Sequence, residues 1–264
     1  MSSTTLFQSD DFEPQLVDLE GAQVAVLSRR GPGKVVNEDS AAVLSCESGH
    51  VLVVADGMGG HSAGEQASRI AIESIERCML ESVTGERAGF AVLDGIEEAN
   101  RSILDLGVGA GTTLVAIHVQ DGSARSFHVG DAVALHVGQR GRIKRRTLDH
   151  SPTAYAVEAG LLDEAEALRH GERHLVTNYV GSGDMRVEVG QPLAVARRDT
   201  ILLASDGVLD NLHSAEVIER IRCGSLVEAS RRVAELAIRR MVEPEPGAPS
   251  KPDDLTLVLY RRTA

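Results

Sequence analysis

The sequence predicts an α+β protein, with strands in consecutive runs and helices in two separate groups rather than an alternating βαβ chain. Three observations carry this. Short apolar runs bounded by turn residues dominate the regions 24–55, 112–147 and 175–204. Helical periodicity is confined to one stretch after residue 62 and another after residue 215. No segment repeats. Of the 264 residues 42% are hydrophobic and 25% charged, enough for a sizeable core without disulfides. Aromatics are only 3% and Trp is absent, so that core has to be built from Val, Leu, Ile and Ala.

The elements follow in order. Residues 1–21, with Asp10, Asp11, Glu13, Asp18 and Glu20, read as a mobile acidic tail. Val24–Leu27, Ala41–Leu44 and Val51–Ala55 read as strands. Ser62–Val83 reads as a helix because Ala63, Ala67, Ile70, Ala71, Ile75, Cys78 and Met79 recur at spacings of three and four. Ala88–Leu106 reads as a second helix, with Phe90, Leu93, Ile96 and Ile103 as its apolar set. Thr112–Val119 and Ala124–Val129 flank Asp121-Gly122, a strong hairpin signal. Ala132–Val137 and Arg142–Thr147 form a second hairpin, whose arginines and lysine read as a solvated strand edge. Ser151–His174, rich in Ala, Glu and Leu, reads as short helical pieces inserted as a flap. Strands return at Leu175–Tyr179, Met185–Val189 and Thr200–Ala204. Ala215–Arg222 and Leu226–Met241 are helical. A proline-rich loop, EPEPGAPSKP, precedes the closing strand Leu255–Tyr260.

A net charge of −12 with few aromatics argues against nucleic acid and anionic membranes as partners. Basic charge comes from 24 Arg and only 3 Lys. Cys46, Cys78 and Cys223 form no CxxC pair, which predicts a reducing, cytoplasmic setting. The opening stretch has no basic region followed by an apolar one, so no signal peptide is expected, and no run approaches a membrane span.

The chemistry gathers where apolar strands end in acids. Val51–Ala55 runs into Asp56-Gly57, Ile201–Ala204 through Ser205 into Asp206-Gly207, and Phe127–Val129 into Gly130-Asp131. Asp253-Asp254 precedes the last strand and Asn37-Glu38-Asp39 an earlier one. A carboxylate at the rim of a buried sheet is costly unless partnered. Five such rims point to a shared hard cation, Mg²⁺ or Mn²⁺, and no His/Cys cluster at zinc spacing competes. Asp-Gly is also an everyday turn dipeptide. Asp56-Gly57, however, leads into a glycine-rich bend and a helix, not a returning strand.

In order along the chain, NEDS, VVADGMGGHSAGE, GTTLV, HVGD, LLASDG and DDLTLVL resemble the bacterial form of the metal-dependent serine/threonine protein phosphatases of type 2C, over about Val24 to Arg261. The resemblance implies an α-β-β-α sandwich of four layers, two central antiparallel sheets flanked by helices. It implies one catalytic domain over 22–264, with a flap insert at about 151–174. It further implies two Mn²⁺ or Mg²⁺ ions whose bridging water attacks the phosphorus of phosphoserine or phosphothreonine, with no covalent phosphoenzyme, reversing kinase signalling. Carried over by position, Asp56 bridges the metals, Asp206 and Asp253 hold the first, and Glu38 and the Gly57 carbonyl serve the second. Asp39 orients this shell, and Asp131 with Asp206 matches a third, weaker metal site. His61 matches the general acid that protonates the leaving alkoxide.

Three departures stand out. Lys34 occupies the position where the family carries an arginine that binds the substrate phosphate, keeping the charge but losing the bidentate fork. The family's GDSR is Gly130-Asp131-Ala132-Val133, without the Ser and Arg, and its closing Asp-Asn is Asp253-Asp254. The expected partner is a phosphorylated protein, the substrate of a serine/threonine kinase, met by a monomeric enzyme. Two other readings remain open: a low-activity phosphatase-fold module that binds a kinase or phosphoprotein, and a phosphatase of small phosphate esters.

Overall fold

The computed structural model describes residues 2–7, 13–46, 49–59, 63–82 and 88–263. All strand pairs are antiparallel. One sheet contains β1 (Ser2–Phe7), β4 (Asp39–Cys46), β5 (Gly49–Met58), β6 (Gly111–Gln120), β7 (Ser123–Val129) and β10 (Glu188–Val189) in that order, with β11 (Leu193–Ala194) also on β7. The other runs β2 (Gln15–Leu19), β3 (Ala22–Arg29), β13 (Leu255–Arg262), β12 (Thr200–Ala204), β8 (Val133–Val137) and β9 (Ile143–Arg146).

Alternation along each strand builds the layers. On β5, Val51, Val53 and Ala55 pack under helices α1 (Ala63–Glu81) and α2 (Ala88–Asp105), while Leu52 and Val54 face the second sheet. On β13, Leu255, Leu257 and Leu259 pack with α5 (Asp206–Leu209), α6 (Ser214–Ile221) and α7 (Leu226–Val242), while Val258 and Tyr260 face the first sheet. Covered on both faces, these strands are near-continuous apolar runs, which is why the sequence shows them so clearly. The result is the four-layer sandwich that was expected.

Several expectations need correction. Residues 2–7 and 15–19 lie in the stretch read as a mobile tail, yet both are strands, paired with β4 and β3. Their polar sequences hide them, because an edge strand needs little apolar surface once its backbone groups are paired. Leu175–Tyr179 is not a strand; the nearest pairing is an isolated bridge between Val180 and Thr112. Of Met185–Val189 only Glu188–Val189 pairs, with β7. Phe90 is 65% exposed, and the buried face of α2 is Ala91, Val92, Ile96, Ala99 and Ile103. The segment 151–174 does hold two short helices, α3 (Pro152–Glu158), capped by Ser151 and opened by Pro152, and α4 (Glu164–Ala167), with an Asp163/Glu166 capping box. Among the described residues, no helix is long and apolar enough to cross a membrane.

Candidate metal centre at the seam of two sheets

The site forms where the inter-sheet layer runs out. The alternation that turns Leu52 and Val54 toward the second sheet also turns Asp56 that way, and the one that buries Ala41 and Val43 does the same for Asp39. Asp39 and Asp56 stand opposite each other in the β4–β5 register, and Asp56 faces Thr113 on β6. β5 runs through Asp56-Gly57 to Met58, so the pair lies inside the strand rather than in the bend after it. The second sheet brings Ser205 and Asp206 from the end of β12, and Asp253 and Asp254 from the approach to β13.

Hydrogen bonds stitch the two sheets together here. Ser205 Oγ donates to Asp39 Oδ2 at 2.7 Å and accepts from the Thr256 amide at 3.0 Å. Asn37 Nδ2 donates to Ser28 Oγ at 2.9 Å, and its Oδ1 accepts from the Asp39 amide at 3.0 Å. Asp254, only 3% exposed, accepts from the Gly31 amide at 2.8 Å and the Glu38 amide at 2.9 Å, fixing the loop that carries Lys34 and Glu38. Gly57 is required for close approach, because a Cβ there would lie 2.1 Å from the Gly64 carbonyl oxygen and 2.7 Å from that of Glu38.

Two lysines occupy the middle of the acids. Lys34 Nζ is 2.5 Å from Asp253 Oδ1, 3.1 Å from Asp254 Oδ2 and 3.7 Å from Glu38 Oε2. Lys251 Nζ is 2.5 Å from Asp206 Oδ2, 3.1 Å from Asp210 Oδ2 and 3.2 Å from Asp253 Oδ2. They do not neutralise the cluster. Burial pushes the Asp56 carboxyl well above its usual range, and the charges of Asp39, Asp206, Asp253 and Asp131 push it further. Asp39 is raised by burial and by Asp254, and Asp131 by burial and by Asp206, Asp149 and Asp210. Asp206 is pushed up to about 6 by burial and Asp210, against the pull of Lys251. For Asp253 burial acts upward too, but Lys251 and Lys34 outweigh it and hold the carboxyl below its usual value.

The donor set fits hard divalent cations. Every candidate ligand is a carboxylate or carbonyl oxygen. Glu38 Oε1, Asp39 Oδ1 and Asp206 Oδ1 are buried without a hydrogen-bond partner among the described residues. Buried carboxylate oxygens of this kind need a counter-charge.

Asp56, Gly57, Asp206, Asp253, Glu38, Asp39 and Lys34 thus meet at one place, and Asp131 is close enough to Asp206 for their charges to interact. His61 lies outside the described residues. Sequence reading missed Asp149, Asp210 and Lys251. Asp149, pushed up to about 6 chiefly by burial, and Asp210 line a cavity of about 260 Å³ with Asp131 and Asp206, roofed by Ala154 and Val157 of α3 and Ala167 of α4. The available signal for Lys251 was its rarity, as one of three lysines among 24 arginines.

The structure also gathers a group that sequence spacing hid. Ligand atoms of His128, His150 and Glu188 lie within 4.8 Å of one another. One nitrogen of each ring is committed to the fold, while His150 Nε2 lies 3.4 Å from Glu188 Oε2 and His128 Nδ1 is buried without a hydrogen-bond partner among the described residues. His150 Nδ1 accepts from the Gly130 amide at 3.0 Å and Asn178 Nδ2 at 2.8 Å, and His128 Nε2 donates to the Leu148 carbonyl at 3.0 Å. The two rings stack at 4.6 Å, tying β7 to the start of 151–174.

Comparison with known proteins gives a consistent result. A family model described as protein phosphatase 2C matches residues 32–237. The serine/threonine protein phosphatase PstP of Mycobacterium tuberculosis is 29% identical over 243 residues, which cover 89% of this chain and 44% of that one. The structure of an S. agalactiae serine/threonine phosphatase superposes with a TM-score of 0.79 at 26% identity, covering 91% of this chain and 99% of that one. A PstP catalytic domain in complex with 2 manganese ions superposes with a TM-score of 0.73 at 26% identity, covering 92% and 99%.

Proposed function

Since the chain belongs to the protein phosphatase 2C family and has its metal-dependent hydrolase fold, we propose that it hydrolyses phosphoserine and phosphothreonine in proteins at a dinuclear Mn²⁺ or Mg²⁺ centre. The observation that carries the proposal is the meeting of Asp56, Asp206 and Asp253 from two sheets, beside buried oxygens of Glu38, Asp39 and Asp206 that have no hydrogen-bond partner among the described residues.

Asp56 would bridge the ions, with Asp206 and Asp253 on the first and Glu38 and the Gly57 carbonyl on the second. When bound, such ions neutralise phosphate oxygens and lower the pKa of water at the phosphorus. The chain's residues do the rest. Asp39, held by Ser205, fixes the charge behind Asp56. Lys34, with its side chain 32% exposed, sits beside the metal carboxylates and offers a point charge to a phosphate oxygen. His61, which matches the family's general acid by its place in the motif, would protonate the leaving alkoxide. The cavity beneath α3 and α4 opens beside Asp206 and gives a protein substrate a second surface to touch. The chain would act as a monomer in the cytoplasm on the products of a serine/threonine kinase.

The test is hydrolysis of a phosphothreonine peptide with Mn²⁺, with Mg²⁺ and with EDTA, alongside Asp206→Asn. Turnover that requires metal and is lost in the variant is the expected result. A folded protein that binds Mn²⁺ and turns nothing over would overturn the proposal and favour a phosphoprotein-binding module.

A further inference from the structure

Lys251 is not a surface lysine that happens to lie near acids. Asn211, fully buried, accepts from the Lys251 amide through Oδ1 at 2.8 Å and donates from Nδ2 to the Lys251 carbonyl at 2.9 Å. The same Nδ2 donates to the Gly207 carbonyl, in the residue after Asp206. The neighbouring Ser250 is held by its hydroxyl on the Arg240 carbonyl and by Arg173 on its own carbonyl. Lys251 therefore leaves a backbone fixed to the same turn that presents Asp206. Its ammonium meets one oxygen each of Asp206, Asp210 and Asp253, and its charge reaches Asp131.

We propose that Lys251 is a resident cation that stands in for a third divalent ion on the Asp131–Asp206 side of the centre, so that this chain works with two metals. The inference rests on the dinuclear reading above. An ion shared by Asp131 and Asp206 would have to contest Asp206 Oδ2 and sit against a tethered positive charge. Asp206 Oδ1, buried and without a hydrogen-bond partner among the described residues, stays open for the dinuclear pair. A lysine suits this post better than an arginine, because a compact ammonium can meet three carboxylates converging from different directions.

The experiment counts bound Mn²⁺ by the EPR signal of the free ion, titrated into metal-free protein. Wild type is expected to bind two ions per chain, and Lys251→Met three, the third at least about tenfold tighter than any further binding to wild type. Lys251→Met combined with Asp131→Asn should return to two. Asp131→Asn alone should leave the wild-type count at two, which keeps the test sound even if Lys251→Met does not fold. Three ions in wild type, falling to two in Asp131→Asn, would overturn the inference and leave the dinuclear reading standing. So would Lys251→Met binding two ions more tightly, since Lys251 would then be competing for the first metal. No Mn²⁺ bound at all would overturn both.

Discussion

Replacing Asp254 with asparagine changes one atom and should unseat the loop that carries Lys34 and Glu38. The carboxylate accepts from the Gly31 amide at 2.8 Å, the Glu38 amide at 2.9 Å and Lys34 Nζ at 3.1 Å. In the Asp254→Asn variant the side-chain oxygen can keep one side of this set, but the NH₂ group then faces the donors on the other. With the oxygen kept on the Glu38 and Lys34 side, the Gly31 bond is lost outright, at about 1.5–3 kcal/mol, and the two that remain drop to the neutral range, at a cost of about 1 kcal/mol each. Relief of repulsion on Asp39 and Glu38, both of which feel the Asp254 charge, gives part of this back. A net loss of about 2–4 kcal/mol remains, or roughly 5–10 °C in Tm for a chain of this size. Urea unfolding in EDTA, read by circular dichroism, measures it. Lys34→Met should cut the cost of Asp254→Asn by about 1 kcal/mol, because the bond to Lys34 that loses its charge assistance is then absent from both backgrounds. An unchanged or higher midpoint for Asp254→Asn would refute the view that this carboxylate is a tether, and would make it one more source of repulsion.

Three further outcomes follow from the same geometry. Gly57→Ala must displace the Gly64 or Glu38 backbone, and with it Asp56; a loss of about 3 kcal/mol or more and of Mn²⁺-dependent activity is expected, checked by thermal melting and peptide assay. Asp149 has a folded pKa of about 6 against an ordinary 3.8, so the folded state holds the extra proton and stability falls as pH rises between those values. Asp149→Asn should accordingly be stabilising at pH 8 by up to about 3 kcal/mol and nearly neutral at pH 4, with unfolding followed in EDTA at both. Mn²⁺ at a hundredfold excess over its Kd should stabilise wild type by about 2.7 kcal/mol in a melting scan, and Asp206→Asn should lose most of that shift.

Much of the site was legible because its acids stand at the ends of apolar strands. Asp56, Asp206 and Asp253 each adjoin a run covered on both faces, so strand and acid announce one another. Lys251 and Asp210 were not legible for the opposite reason. Each sits in a turn or loop with no periodicity, and only the fold brings them to Asp206. Lysine rarity was the overlooked signal. Lys34, Lys144 and Lys251 each end on a carboxylate, Lys144 on Asp199 at 2.5 Å. Strands β1, β2 and β11 escaped because pairing, not side-chain burial, makes them strands. His128 and His150, well separated along the chain, meet only through its return after β9.

The short strand β1 protects the site indirectly, by controlling which chains can meet. Along its whole length it lies against β4, the strand that carries Asp39, and so occupies the outer face of that strand's hydrogen-bonding groups. Its sequence, Ser-Ser-Thr-Thr-Leu-Phe, is shorter and more polar than the strand it covers. Cutting the chain back past residue 7 would expose a longer and far more apolar edge in its place. Such a shortened protein would keep every carboxylate of the centre, and its weakness would appear as self-association that grows with concentration, not as impaired chemistry.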